Sequence, residues 1–303
     1  MSRKIHDKGY KRVLTKKKHF IHMLRKYVDA TLGEQILEDE LELIDKEFIP
    51  KDFKEKEADI IYKAKLKGKE VIFYVLLELQ STVDYTMPFR LLMYMVELQK
   101  RIFMSVESHT RKQKDFKLPP IVPIILYNGQ NNWNVARSFG DYTQAQQVGR
   151  RYTIDFEYFF LDLKEKAKEL LTSTNTLIDN VFILDQASNT TELKLALEIV
   201  FRRIKALTQD EQIDLVDWIK DVLSKKVKNK KLVDEAFSVI RKGDVKDMTY
   251  AIERIFEEEY AKGVEKGIEQ GKREAAKALI GILEDEVIAE KIGLKLEEVK
   301  KLH

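Results

Sequence analysis

The run Val71-Ile72-Phe73-Tyr74-Val75-Leu76-Leu77, closed by Glu78, constrains this chain more than any other stretch. A continuous run of β-branched, aromatic and aliphatic residues reads as a strand buried on both faces. An ionised carboxylate at the end of such a strand is costly unless a cation or a hydrogen-bond donor meets it. The run is preceded by Asp59-Ile60-Ile61-Tyr62 and by Lys67-Gly68, where glycine supplies the positive φ that a tight turn requires. The pattern predicts a hairpin of residues 59–65 and 71–80.

A turn centred on Lys67 and Gly68 fixes the pairing, and residue 59 then lies opposite residue 76. Leu76, Glu78 and Gln80 share one face by alternation, and Asp59 joins them across the ladder, ~7–8 Å from Glu78 between Cα atoms. One more residue in the turn would send Asp59 to the other face. Two such carboxylates, with the backbone carbonyl of Leu79, suit one Mg²⁺ ion, which takes oxygen ligands and keeps several waters. Metal-assisted hydrolysis, of a phosphodiester above all, is the chemistry they would serve. The alternative is an Asp on a surface strand and a Glu paired with a lysine.

Around the hairpin, apolar residues at Tyr10, Val13, Leu14, Phe20, Ile21, Leu24 and Val28 predict one amphipathic helix from His6 to about Val28. Residues 41–49 suggest an edge strand. Pro88 suits the first turn of a helix whose broad apolar face includes Phe89, Met93, Val96 and Phe103. Ile121 to Gly129 reads as a buried strand, with Pro123 placing it toward an edge. Thr153 to Leu163 is a last strand candidate, its aromatics reading as core. Residues 164–187, 190–206, 209–226, 230–241 and 247–270 read as helices. These shifts divide the chain into residues 1–165, a helical region 166–270, and a small tail 271–303 whose Ile288 to Val299 resembles the turn of a helix-turn-helix.

Composition sets the outer bounds. The net charge of +3 on 303 residues says little about partners, but Arg3, Lys4, Lys8, Lys11, Arg12, Lys16, Lys17, Lys18, Arg25 and Lys26 give the first helix a basic surface. That surface either faces a polyanion or is simply solvated. The absence of cysteine excludes disulfides, thiolate zinc sites and thiol catalysis, and suits a reducing compartment. With no membrane-length apolar run and no secretory signal, the expected location is the cytoplasm. Gly263, Gly267 and Gly271 recur every fourth residue in a charged helix, which allows either self-association into a homo-oligomer or a plain solvated helix.

Several stretches together resemble the recombination-promoting nuclease family, within the PD-(D/E)XK nuclease superfamily. They are His6-Asp7-Lys8-Gly9-Tyr10-Lys11, Asp59, Glu78-Leu79-Gln80-Ser81, Met87-Pro88-Phe89-Arg90, and Pro120 through Gly129. The resemblance covers roughly residues 5–165. It implies an α/β, restriction-endonuclease-like (PD-(D/E)XK) αβββαβ core with a helical C-terminal region, and divalent-metal-dependent DNA cleavage linked to recombination or mobile elements. It makes Asp59 and Glu78 metal ligands, with Asp7 as a third acid, and sets Gln80 where the superfamily has lysine. Arg90 then matches a phosphate contact, or is an ordinary helix arginine. An amide neither donates a catalytic proton nor carries charge, so Lys63 or Arg90 would have to supply the missing cation. The other reading is a catalytically weak or inactive DNA-binding or oligomerising protein on the same fold.

Overall fold

The computed structural model describes residues 3–44, 60–78, 83–144, 149–170, 176–227, 230–238 and 245–303. Two compact units emerge, Met1–Val222 and Leu223–His303. The first opens with helices α1 (Arg3–Leu14), α2 (Lys17–Met23) and α3 (Ala30–Glu34). The sequence predicts one helix here, but the chain breaks at Thr15-Lys16 and α2 runs out through a π turn at Leu24–Val28. Tyr62 explains why the break is tolerated. Its phenol donates to the carbonyls of Leu14 at 3.1 Å and Thr15 at 2.6 Å, so carbonyls released by the interruption keep a partner.

Strands β1 (Glu42–Leu43), β2 (Ile60–Leu66), β3 (Lys69–Glu78), β4 (Ile121–Tyr127) and β5 (Phe159–Asp162) form a five-stranded sheet in that order. The first three run antiparallel, while β3, β4 and β5 are mutually parallel. The β2–β3 turn has the predicted two central residues: Leu66 pairs with Lys69, and Lys67 and Gly68 adopt φ values of 50° and 75°. The register then steps without interruption to Ile60 opposite Val75.

Both faces of the sheet are covered, which accounts for the unbroken apolar run of β3. Ile61, Ile72, Tyr74 and Leu76 join Ile125 and Tyr127 in a core beneath helix α4 (Met87–Ser105). On the other face Phe20 of α2 meets Tyr62 at 4.2 Å and Phe73 at 5.9 Å between ring centroids. The buried side of α4 is Met87, Leu91, Tyr94 and Leu98. Phe89, Met93, Val96 and Phe103, predicted on its apolar face, are exposed instead, because only one stripe of a helix can meet a sheet.

Strand β4 corrects the reading of Pro123 as an edge signal, since it lies between β3 and β5. Ile72 N donates to Pro120 O at 2.9 Å. Backbone groups alternate in direction along a strand, so even-numbered residues of β4 address β3 and Pro123 addresses the other side. Pairing with β5 begins only at Ile124, one residue later, and the missing N–H interrupts no ladder bond.

Two short helices, α5 (Ser108–Arg111) and α6 (Phe139–Tyr142), lie in the connections on either side of β4. After β5 the first unit is helical: α7 (Leu163–Leu170), α8 (Leu177–Gln186), α9 (Thr190–Arg203) and α10 (Gln209–Lys226), the last extending past Val222. The predicted helix 164–187 is thus two helices, and Thr176 begins the second with a reciprocal capping box to Asp179. Helix α8 is buried from Leu177 to Asp185 and packs against α2.

The second unit contains α11 (Lys230–Ser238), α12 (Val245–Leu279), α13 (Asp285–Ile292) and α14 (Leu296–Lys300). Ala276, Ile288 and Val299 form its small core with Ile292, Leu294 and Leu302. Gly293, at φ 70°, ends α13 and turns the chain toward α14, so the predicted pair of short helices at a Gly-Leu turn is present. No helix among the described residues is long and apolar enough to cross a membrane.

Candidate active site

Glu78 is the last residue of β3 and pairs in register with Tyr127, the last residue of β4. What surrounds Tyr127 and its neighbour Asn128 therefore defines the end of the sheet at which Glu78 lies. On one side the Tyr127 hydroxyl donates to Asn131 O at 3.0 Å, and its ring lies 4.9 Å from Trp133, which stacks on Phe160. Trp133 Nε1 donates to the Tyr158 hydroxyl at 3.2 Å, and that hydroxyl donates to Ala136 O at 2.7 Å. Exposed Arg137 caps the stack, its guanidinium 3.9 Å from the Phe160 ring centre. The aromatics of this region are core, as the sequence indicates, but Arg137 was not singled out. Only its spacing from Phe160 in three dimensions reveals it.

Asn128 ties the same sheet end to α1. Its Nδ2 donates to Asp185 Oδ2 at 3.0 Å, and buried Tyr10 donates its hydroxyl to the same oxygen at 2.9 Å. Burial, reinforced by the neighbouring Asp185 carboxylate, pushes the Tyr10 phenol well above its ordinary value, so it stays protonated and keeps donating. Helix α1 is clamped further along its length. Tyr10 meets Trp218 edge-on at 4.8 Å, and Arg12, Lys16 and Lys18 pair with Asp221, Asp214 and Glu211 at 3.2, 2.5 and 2.9 Å. The basic surface read in the first helix is thus largely committed to acids of α10. Lys26 likewise donates to Asp179, at 2.9 and 2.8 Å.

The proposed site residues are distributed as follows. Asp7 lies on α1, one turn before Tyr10 and Lys11, with its side chain outside the described residues. Asp59, Leu79 and Gln80 also fall outside the described residues, and of Glu78 only the backbone is described. Lys63 pairs in register with Ile72, six residues before Glu78 in β3, or about 20 Å along the strand. Its ammonium meets Glu42 at 3.0 Å and Glu70 at 3.7 Å; the hydrogen bond to Glu42 raises its pKa first of all. The structure therefore does not bring Lys63 to the end of β3.

Arg90 is in the first turn of α4, its guanidinium bonded to Asp84 and 5.9 Å from the Tyr94 ring centre. Thr86 donates to the same Asp84 through its backbone N at 2.9 Å and its hydroxyl at 2.5 Å. Burial raises the Asp84 carboxyl, but these hydrogen bonds outweigh it and hold the pKa below the usual range. Arg90 is accordingly held at the base of α4 by an ionised partner.

Among the described residues, no three His, Asp or Glu side chains gather as they would to hold a metal ion. The carboxylates at positions 59 and 78 suit a hard cation by their chemistry. The two-residue turn supplies the register that their pairing requires.

Comparison with known proteins agrees with this architecture at the level of family. The chain is 27% identical over 115 residues to the recombination-promoting nuclease RpnD of Escherichia coli O157:H7, covering 36% of this chain and 42% of that protein. It is 28% identical over 125 residues to the recombination-promoting nuclease RpnC of Escherichia coli K12, covering 41% of this chain and 39% of that protein. The matched region spans about two fifths of the length of these curated relatives. No solved structure matches. The profile of one family aligns with residues 4–234, well over half of the sequence, and the chain belongs to that family, described as "Putative transposase, YhgA-like".

Proposed function

We propose that the chain is a divalent-metal-dependent DNA endonuclease of the PD-(D/E)XK type, acting in recombination or on mobile elements. The observation that carries this reading is the convergence on the end of β4: Glu78 of β3 pairs with Tyr127, and Tyr10 of α1 reaches Asn128 through Asp185. The element order supports it, with a helix, three antiparallel strands, helix α4 and a parallel β4 following in the αβββαβ series of that superfamily. The two relatives named as nucleases point the same way.

In this reading Asp59, Glu78 and the Leu79 carbonyl hold Mg²⁺ or another divalent cation, with Asp7 as a further acid carried by α1. When bound, such a cation lowers the pKa of a ligated water and offsets charge on the phosphoryl oxygens. Asp59 and Glu78 contribute by staying ionised and fixing the direction of their oxygens. Gln80 orients a water through its amide but adds no positive charge. Arg137, exposed and stacked over Phe160, is a better placed source of that charge than Lys63, and Arg90 serves the phosphate from the start of α4. Residues 1–165 carry the nuclease elements, residues 166–270 the helical region, and residues 271–303 a tail for DNA engagement. The C-terminal helices supply self-association, and the cysteine-free chain works in the cytoplasm.

A plasmid-nicking assay tests the proposal. Cleavage with Mg²⁺ that is lost with EDTA and in Asp59→Ala and Glu78→Ala is expected, and cleavage surviving both substitutions overturns the site. A second reading, a weak or inactive DNA-binding protein on the same fold, is favoured by Gln80 standing in place of lysine. DNA binding with no cleavage in the unsubstituted protein would decide for it.

A further inference from the structure

Helix α12 spans 35 residues, about 50 Å, and carries an apolar face that no described residue covers. Tyr260, Val264 and Ile268 recur every fourth residue along it and are 76%, 44% and 58% exposed. At 100° per residue Gly267 and Gly271 fall on the same face, with Gly263 at its margin. A Cβ added at any of the three would meet nothing within 4 Å among the described residues, so no such contact requires glycine there. Each glycine nonetheless costs a helix interior about 1 kcal/mol relative to alanine. What a glycine beside a row of large apolar side chains offers is a close backbone approach to an outside helix.

The charges say which helix. Glu253, Glu257 and Glu258 flank the apolar row on its N-terminal side, and Lys272, Arg273 and Lys277 on its C-terminal side. We infer that the face binds the same face of a second copy of this chain, with the two α12 helices antiparallel and centred on Val264. Tyr260 of each copy then opposes Ile268 of the other, the glycines let the helices close, and Lys272 of each copy comes alongside Glu257 and Glu258 of its mate. A parallel pair would instead stack like charges at every level. The inference deepens the self-association part of the proposed reading and does not depend on the nuclease chemistry.

Sedimentation equilibrium of the full chain, from low micromolar to several hundred micromolar, tests it. A reversible monomer–dimer equilibrium is expected, weakened at least about tenfold by Val264→Glu and by Gly267→Leu. Gly267→Ala is the control for folding: it raises helix stability in dilute protein while loosening the dimer. Glu257→Lys with Glu258→Lys weakens association, and adding Lys272→Glu with Arg273→Glu restores it. A monomer throughout, or a dimer indifferent to both Val264→Glu and Gly267→Leu, overturns the inference. A dimer that tolerates the first charge reversal overturns the antiparallel register. Glu78→Ala dimerises like the unsubstituted protein, so loss of nicking and loss of association are read separately.

Discussion

Gly9 and Gly267 both sit inside long charged helices, and their surroundings are opposite. A Cβ on Gly9 would lie 2.6 Å from Trp218, whereas one on Gly267 would meet nothing within 4 Å. The charges of the two helices differ in the same way. Those of α1 and α2 are spent on distant acids, Lys16 on Asp214 and Lys26 on Asp179, while those of α12 pair locally, Arg254 with Glu258 and Arg273 with Glu269. One helix is defined by what the rest of the unit presses against it, and the other presents its face outward. A glycine or a lysine in a helix thus has no fixed meaning until its neighbours are known.

The comparison can be broken most decisively at Asp179. This fully buried carboxylate accepts from Lys26, from Tyr27 and from Thr176 N, so Asp179→Ala strands a buried cation and should cost about 3–5 kcal/mol in denaturant unfolding. A loss below about 1 kcal/mol would mean that the α2–α8 contact is not a latch. Next come the glycines themselves. Gly9→Ala should destabilise by about 1–3 kcal/mol through overpacking against Trp218. Gly267→Ala in dilute protein should stabilise by up to about 1 kcal/mol. Equal signs in thermal unfolding would erase the contrast.

Acid sharpens it further. His19 is buried, with Lys16, Lys18, Glu211 and Asp214 around it, and His22 is half-buried near Asp179, Glu211, Arg25 and Lys26. Burial, the largest cause, holds both imidazoles below their ordinary value. The unfolded chain therefore binds protons that the native state refuses. Their contribution is complete above about pH 6.5 and is lost as pH falls through the native values. His19→Gln with His22→Gln should flatten the decline in unfolding midpoint between about pH 7 and 5. The smallest effect is expected in the second unit, where Arg273→Ala should change stability by no more than about 0.5 kcal/mol.

The hairpin was legible because its determinants are local: two turn residues fix the register, and alternation fixes the faces. The apolar run of β3, α10 and the Gly293 turn were legible for the same reason. The position of β4 was not, since Pro123 is compatible with an interior strand only where the neighbouring ladder happens to begin one residue later. Nor were the partners of the basic first helix, because Lys16 and Asp214 are 198 residues apart and nothing in either stretch announces the other. At the candidate site, sequence supplied Asp59, Glu78 and Gln80. The structure added Tyr10, Asn128 and Asp185, three unremarkable residues in sequence whose link exists only when α1, β4 and α8 meet.

The long-range clamps on α1 also order events in time. Tyr10 finds Asp185 across 175 residues and Lys16 finds Asp214 across 198. At about 5–20 residues per second of synthesis, the helix made first waits roughly 10–40 s before its last partner has been translated. A nascent or truncated chain that stops short of α10 holds the whole sheet but lacks the carboxylates and the Trp218 ring that seat α1. If α1 carries part of a nuclease site, the polypeptide is therefore withheld from completing that site until nearly the entire first unit has emerged.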